Sequence, residues 1–255
     1  MKKYQHDLII TANETLNNQY FLLKLTQSEP LPEMQPGQFV QLLIEDSAQT
    51  FLRRPISINF VDKAKNELWL LIQKVGNGTR KLAEYQVGRA INVLYPLGNS
   101  FSEPLPQQKI LLVGGGVGTA PMLMLGASLK AKDIEPTFLL GARSAGDLLQ
   151  LNEFEKYGRV LTTTEDGSQG EHGFVIQHSV LQNEQFDRIC TCGPTPMMKA
   201  VAAYAAQRGI YCEVSLENTM ACGIGACLCC VQDTVDGHRC VCTDGPVFDA
   251  KELKW

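Results

Sequence analysis

Apolar residues follow two rhythms along the chain. Up to about residue 103 they come in short β-rich stretches separated by turn residues: 7–11, 20–25, 39–44, 56–60, 67–74 and 90–94. One helix-like stretch, 79–85, interrupts them. Many short strands with a single helix predict a small antiparallel β-barrel. Pro104-Leu105-Pro106 reads as a linker, and beyond it the rhythm changes. Residues 109–113 form a buried-strand run, followed by glycines and a helical stretch at 121–131. Further apolar runs at 137–141, 159–163, 186–192 and 211–216 alternate with helical stretches such as 196–208. That alternation predicts a parallel sheet with helices on both faces. The remainder falls below the roughly 40 residues that can fold without a staple. The expected class is therefore α/β plus all-β. It comprises a barrel over 1–103, a parallel α/β domain over 104–216 and a small C-terminal segment over 217–255.

Composition narrows the class of function. With 44% apolar and 20% charged residues, the chain can build sizeable cores. A formal charge of -4, with no cationic run, gives no sign of a nucleic-acid or membrane-surface partner. The N-terminal residues lack the apolar core of a signal peptide, and no apolar run approaches the roughly 18 residues of a membrane span. A cytoplasmic protein is expected.

The nine cysteines are unevenly spread: none precedes Cys190, and six lie between Cys222 and Cys242. Dense clustering in a chain of this size points to metal rather than to a disulfide framework. Cys222-x4-Cys227-x2-Cys230, then eleven residues to Cys242, is the plant-type [2Fe–2S] spacing. Gly223, Gly225 and Ala226 leave room for backbone to wrap a cluster and turn amide N–H groups towards its sulfides. A zinc site on Cys227, Cys230, Cys240 and Cys242 is the competing assignment. It leaves Cys222 and the small residues after it without a role. Spacing alone does not choose between Cys240 and Cys242 as the fourth ligand. Cys229 reads as a spectator.

Two motifs favour FAD on the barrel. Arg53-Arg54-Pro55-Ile56-Ser57 offers a guanidinium fork for a diphosphate and a hydroxyl for a flavin edge. Gly76-Asn77-Gly78-Thr79 opens a helix, where free N–H groups meet phosphate. Either motif alone also suits a solvated arginine pair or an ordinary turn. In the second segment Gly114-Gly115-Gly116-Val117-Gly118 follows a strand and opens a helix, the position that cradles a pyrophosphate. Cys192-Gly193-Pro194 ends another strand at a helix start, where open α/β sheets bind ligands.

Together, R-P-x-S, G-x-G-T, G-G-G-x-G-x-x-P and C-G-P-x-x-M resemble the ferredoxin–NADP reductase superfamily. The stretch from Glu217 to Cys227, with Cys242-Thr243-Asp244-Gly245-Pro246-Val247-Phe248, is similar to a narrower family. That family is the electron-transfer subunits of type B dihydroorotate dehydrogenases, and the resemblance spans essentially the whole chain. It implies FAD held at Arg54, Pro55, Ile56 and Ser57, at Leu71, Ile72 and Gln73, and at Gly78 and Thr79. It implies cluster ligands Cys222, Cys227, Cys230 and Cys242, the D-G-P-x-F tail after Cys242 being the part that matches. It implies Cys192 near the nicotinamide and Glu217 near the flavin ring. One departure is visible: the family often has Tyr-Arg where Ile72-Gln73 stand, which leaves Lys74 as the candidate substitute at the diphosphate. The reaction implied is transfer of single electrons from an FMN-containing catalytic subunit through [2Fe–2S] to FAD, then of hydride to NAD+, in pyrimidine (UMP) biosynthesis. Two copies of each subunit are implied. The chain lacks an acid–base pair for dihydroorotate, so it is not expected to oxidise that substrate alone. The superfamily's alternative is a diaphorase-type subunit of a hydrogenase or a ferredoxin-dependent NADP reductase; the Glu217–Cys227 stretch argues against it. NAD over NADP is the family expectation, with Arg143 a candidate for meeting a 2′-phosphate.

Overall fold

The computed structural model describes residues 2–47 and 49–255. Seven strands make the first sheet: β1 (Tyr4–Thr15), β2 (Tyr20–Thr26), β3 (Phe39–Leu42), β4 (Arg54–Ser57), β5 (Phe60–Asp62), β6 (Glu67–Gln73) and, after helix α1 (Asn77–Leu82), β7 (Ala90–Leu97). Their order is β4-β3-β7-β1-β2-β6-β5, antiparallel throughout. The two end strands are joined by Ile58 and Asn59 alone, so the sheet must curl on itself. Here the single run expected at 56–60 is two strands. The Ile58 N–H donates to Gln38 O at 2.9 Å and the Asn59 N–H to Trp69 O at 3.0 Å, carrying the chain from β3 to β6. Alternate residues fill the barrel: Leu8 and Ile10, Phe21, Leu23 and Leu25, Val40 and Leu42, Leu68, Leu70 and Ile72. That is the period-two pattern of strands with one face in a core.

The second sheet contains β8 (Ile110–Gly115), β9 (Thr137–Ala142), β10 (Arg159–Thr164), β11 (Glu171–His172), β12 (Arg188–Cys192) and β13 (Tyr211–Ser215). Helices α2 (Ala120–Lys130), α3 (Leu151–Phe154), α4 (Val180–Asn183) and α5 (Thr195–Gln207) connect them. Both β8 and β12 are buried at every position, because helices cover both faces of a parallel sheet.

The C-terminal segment adds a hairpin of β14 (Val231–Thr234) and β15 (Gly237–Cys240), a short helix α6 (Val241–Asp244) and β16 (Val247–Asp249). β16 pairs antiparallel with β13 and so completes the order β11-β10-β9-β8-β12-β13-β16. The segment has no separate core. Cys230, Val241, Cys242, Phe248 and Leu253 pack in one apolar cluster with Val113, Ile189 and Val214 of the sheet and with Phe39 and Leu97 of the barrel.

A buried ion pair ties Ser102, just before the linker, to the second sheet. Arg188 meets Glu213 at 2.8 Å with both side chains almost wholly enclosed. Arg188 also donates to the Ser102 hydroxyl, and Glu213 accepts from the Ser102 N–H at 3.1 Å. Arg188→Met strands a buried carboxylate and is expected to cost about 3–5 kcal/mol in a denaturant titration. Adding Glu213→Leu should return most of that loss, and a double variant as unstable as the single would contradict this account.

Candidate functional site

A cleft of about 620 Å³ opens at the carboxyl ends of the parallel strands. Gln19, Tyr20 and Gln73 line it from the barrel; Gly115, Gly116 and Gly118 line it from the loop after β8; Gly193 and Pro194 follow β12. The two loops touch through their backbones. A Cβ on Gly118 would fall 2.4 Å from Gly193 Cα and 2.5 Å from Cys192 O, so no other residue fits there. The chain then makes a 3-10 turn at Gly116–Thr119 and enters α2. Gly114 is buried and braced on Thr119, and does not line the cleft. Arg143 and Asp147 both border the cleft, a cation and an anion on one rim.

Of the residues expected near the nicotinamide and flavin, Glu217 lines this cleft and Cys192 does not. Cys192 is fully enclosed, and burial, followed by the Glu217 charge, pushes its thiol well above the ordinary range. Glu217 is reached by solvent through the cleft while protein surrounds it on its other sides. That burial raises its carboxyl above the usual range.

The two barrel motifs come together. Arg54, Pro55, Ile56 and Ser57 form β4, each half-buried. A Cβ on Gly78 would lie 3.2 Å from Arg54 Cδ and Nε, so the opening of α1 sits against that side chain. The Arg54 Nη2 donates to Leu52 O at 2.8 Å. Arg53 turns the other way and donates to Asn92 O at 3.1 Å. The Thr79 hydroxyl accepts from the N–H groups of Val75 at 3.0 Å and Gly76 at 3.2 Å, closing the turn. On β6, Leu71 packs with Tyr20, Trp69, Ala120 and Leu149, Ile72 points into the barrel core, and Gln73 reaches the cleft. Any contact of Ile72 outside the barrel is left to its backbone.

The cysteine loop points backbone amides at its thiols. The Ile224 N–H donates to Cys222 Sγ at 3.4 Å, the Gly225 N–H to Cys242 Sγ at 3.2 Å, and the Cys242 N–H to Cys230 Sγ at 3.4 Å. Positive φ angles at Gly223, Gly225 and Leu228 turn the amides inwards. Cys222 is drawn down to about 6, first by the Ile224 amide and then through Cys227 and Ala226. Cys222, Cys227, Cys230 and Cys242 are thus linked by contacts between neighbours. Cys229 instead donates to Thr219 O at 3.6 Å, and Cys240 ends β15 with its N–H on Asp244 Oδ2 at 2.7 Å. Among the described residues no three such side chains converge tightly enough to hold a single ion. Thiols in an amide-lined loop fit the donor chemistry of an iron–sulfur cluster.

Sequence reasoning missed Tyr20 and Asp147, which line the cleft but belong to no motif and stand in ordinary strand or loop contexts.

Comparison with known proteins gives a consistent picture. Residues 217–254 match the iron-sulfur cluster binding domain of dihydroorotate dehydrogenase B, and residues 112–203 match the oxidoreductase NAD-binding domain. The dihydroorotate dehydrogenase B (NAD(+)) electron transfer subunit of Shouchella clausii is 39% identical, covering 99% of each chain. That of Bacillus velezensis is 38% identical over 96% of this chain and 97% of its own. A solved structure of an NADH-dependent reduced ferredoxin–NADP oxidoreductase is 30% identical, with a TM-score of 0.88, covering 97% of this chain and 90% of that one.

Glu217 yields a pH test. Its folded value lies above the unfolded one of 4.5, so ionisation near neutral pH costs stability. Below that unfolded value the carboxyl is neutral in both states and the cost is absent. Glu217→Gln is expected to melt above the parent at about pH 8, with the gap closing as pH falls towards 4.5. Thermal melts across the range check this, and a gap independent of pH would contradict it.

Proposed function

Because this chain belongs to the family of dihydroorotate dehydrogenase B (NAD(+)) electron transfer subunits, we propose that it carries electrons from a catalytic partner to NAD+ in pyrimidine biosynthesis, with FAD and a [2Fe–2S] cluster as its cofactors. The observation that carries the reading is the amide-lined thiol loop at 222–242, set beside a barrel and a nucleotide cleft. A cluster carries single electrons, nicotinamide takes a pair as hydride, and a flavin does both.

Each residue then has a task. Cys222, Cys227, Cys230 and Cys242 hold the cluster, and backbone N–H groups of Ile224 and Gly225 support the sulfurs. Arg54 and the opening of α1 at Gly78 and Thr79 bind the flavin diphosphate. Pro55, Ile56 and Ser57, with Leu71, Ile72 and Gln73, border the flavin, Ile72 through its backbone. Gly115, Gly116 and Gly118 receive the NAD pyrophosphate, and Gly114 braces their loop. Glu217 borders the site of hydride transfer, and Cys192 supports it from beneath. Exposed Cys227, flanked by exposed Ile224 and Leu228, gives the cluster an open edge towards a partner.

We propose an FMN-bearing catalytic subunit as that partner, with two copies of each, in the cytoplasm. No helix among the described residues is long and apolar enough to cross a membrane. The alternative, a diaphorase-type subunit of a hydrogenase or ferredoxin-dependent NADP reductase, shares the fold with the solved oxidoreductase above. Copurification separates the two: an FMN flavoprotein supports our reading, and a nickel–iron or multi-cluster partner overturns it. Diaphorase rates with NADH and NADPH decide whether Arg143 admits a 2′-phosphate; NADH is expected to be preferred.

The ligand set is tested by substitution. Cys242→Ser is expected to lose the cluster absorbance and iron, and Cys240→Ser to keep both. The reverse result would move the fourth ligand to Cys240, and a colourless, zinc-containing parent would sink the redox reading.

A further inference from the structure

One side chain beside the cysteine loop has no partner of its own. Gln41 is fully buried, and neither its Nε2 nor its Oε1 meets a hydrogen-bonding group among the described residues. Native chains seldom leave such an amide unsatisfied, and where they do, the missing partner is commonly a bound group. Of the other buried orphans, Gln150 and Arg188 keep a partner through a second atom, and Thr191 stands on β12 of the parallel sheet.

The surroundings identify the missing partner. On β3, Val40 and Leu42 point into the barrel, while Phe39 and Gln41 take the opposite face. Phe39 packs in the same apolar cluster as Cys230 and Cys242. The Gln41 amide is pressed against the cysteine loop itself. A Cβ on Gly223 would lie 2.7 Å from Gln41 Cδ and Nε2, and 3.2 Å from its Oε1. Gly223 directly follows Cys222, and its φ of +70° belongs to the conformation that glycine favours. Across the ladder, Leu42 pairs with Arg54 and Val40 with Ile56, so those two flavin candidates take the barrel face. Pro55 and Ser57 share the face of Gln41 and make the flavin the competing partner.

We propose that Gln41 donates a side-chain hydrogen bond to the [2Fe–2S] cluster at its Cys222 end and thereby raises the cluster's reduction potential. The proposal rests on the reading of the 222–242 loop as the cluster site. Reduction adds negative charge to the sulfurs, so a donor aimed at them favours the reduced form. The loop's own amides already do this from the C-terminal segment. Gln41 would do it from the barrel, making the cluster's potential sensitive to how the barrel and the loop are packed.

Two substitutions separate the possibilities. Gln41→Met keeps the length of the side chain and removes the donor; Gln41→Glu keeps its shape and replaces the donor with an acceptor. Both are read in the purified complex by EPR-monitored redox titration, with visible absorption to count FAD and cluster. Cofactor content is expected to match the parent, and the cluster potential to move to more negative values, at least as far in Gln41→Glu as in Gln41→Met. Should Gln41→Met not fold, Gln41→Glu carries the same test. An unchanged cluster potential with the cluster retained overturns the proposal, as does a shift confined to FAD. A parent without a cluster spectrum would instead overturn the reading of the loop.

Discussion

The seam between the barrel and the C-terminal tail is the constraint on which the cofactor layout depends. Asn99, just beyond the last barrel strand, makes three hydrogen bonds to that tail. Its N–H donates to Gly245 O at 2.7 Å, its Nδ2 donates to Asp244 O at 2.7 Å, and its Oδ1 accepts from the Val247 N–H at 3.3 Å. Val247, the last of those partners, opens β16 on the edge of the parallel sheet. A segment too small to bury a core is therefore held by two others, through polar backbone contacts on one side and a strand ladder on the other. Gly98 shows how close the approach is: a Cβ there would lie 2.5 Å from Pro246 Cδ. Cys242 stands four residues before Pro246, so the same seam fixes the cluster loop against the barrel that carries the flavin motifs.

Much of the architecture was legible because burial repeats along the sequence. A strand enclosed on both faces, such as β8, can be read as a continuous apolar run. The break between β4 and β5 was not legible. Residues 56–60 alternate apolar and polar without interruption, and only the barrel's closure requires the chain to change partners there. β16 was also hidden, since three residues joining an existing edge leave no period to detect. The cysteine spacing was readable because the covalent geometry of a cluster constrains sequence directly. The choice between Cys240 and Cys242 is not in the spacing and rests on family likeness. Gln41 carried no signal at all: a polar residue in a strand usually faces water, and its burial under Gly223 is a property of the assembled fold.

The nine cysteines show how completely surroundings decide the behaviour of one side chain. Cys190, Cys192 and Cys212 lie in the parallel sheet, where burial pushes their thiols up, Cys212 to about 12. Such thiols pack as small apolar groups. Cys222 lies in a loop whose amides point at it, and it falls to about 6. Cys242 shares that loop but is buried beside other thiols, Cys230 foremost, and rises to about 12. Two neighbouring thiolates repel each other in a poorly solvated site; a metal's charge reverses that cost and deprotonates both. Backbone amides on one thiol and burial on another thus move two cysteines of the same loop in opposite directions. Among the sheet cysteines, Cys192 also receives a backbone amide, that of Gly193, but full burial outweighs it and keeps the thiol well above the ordinary range.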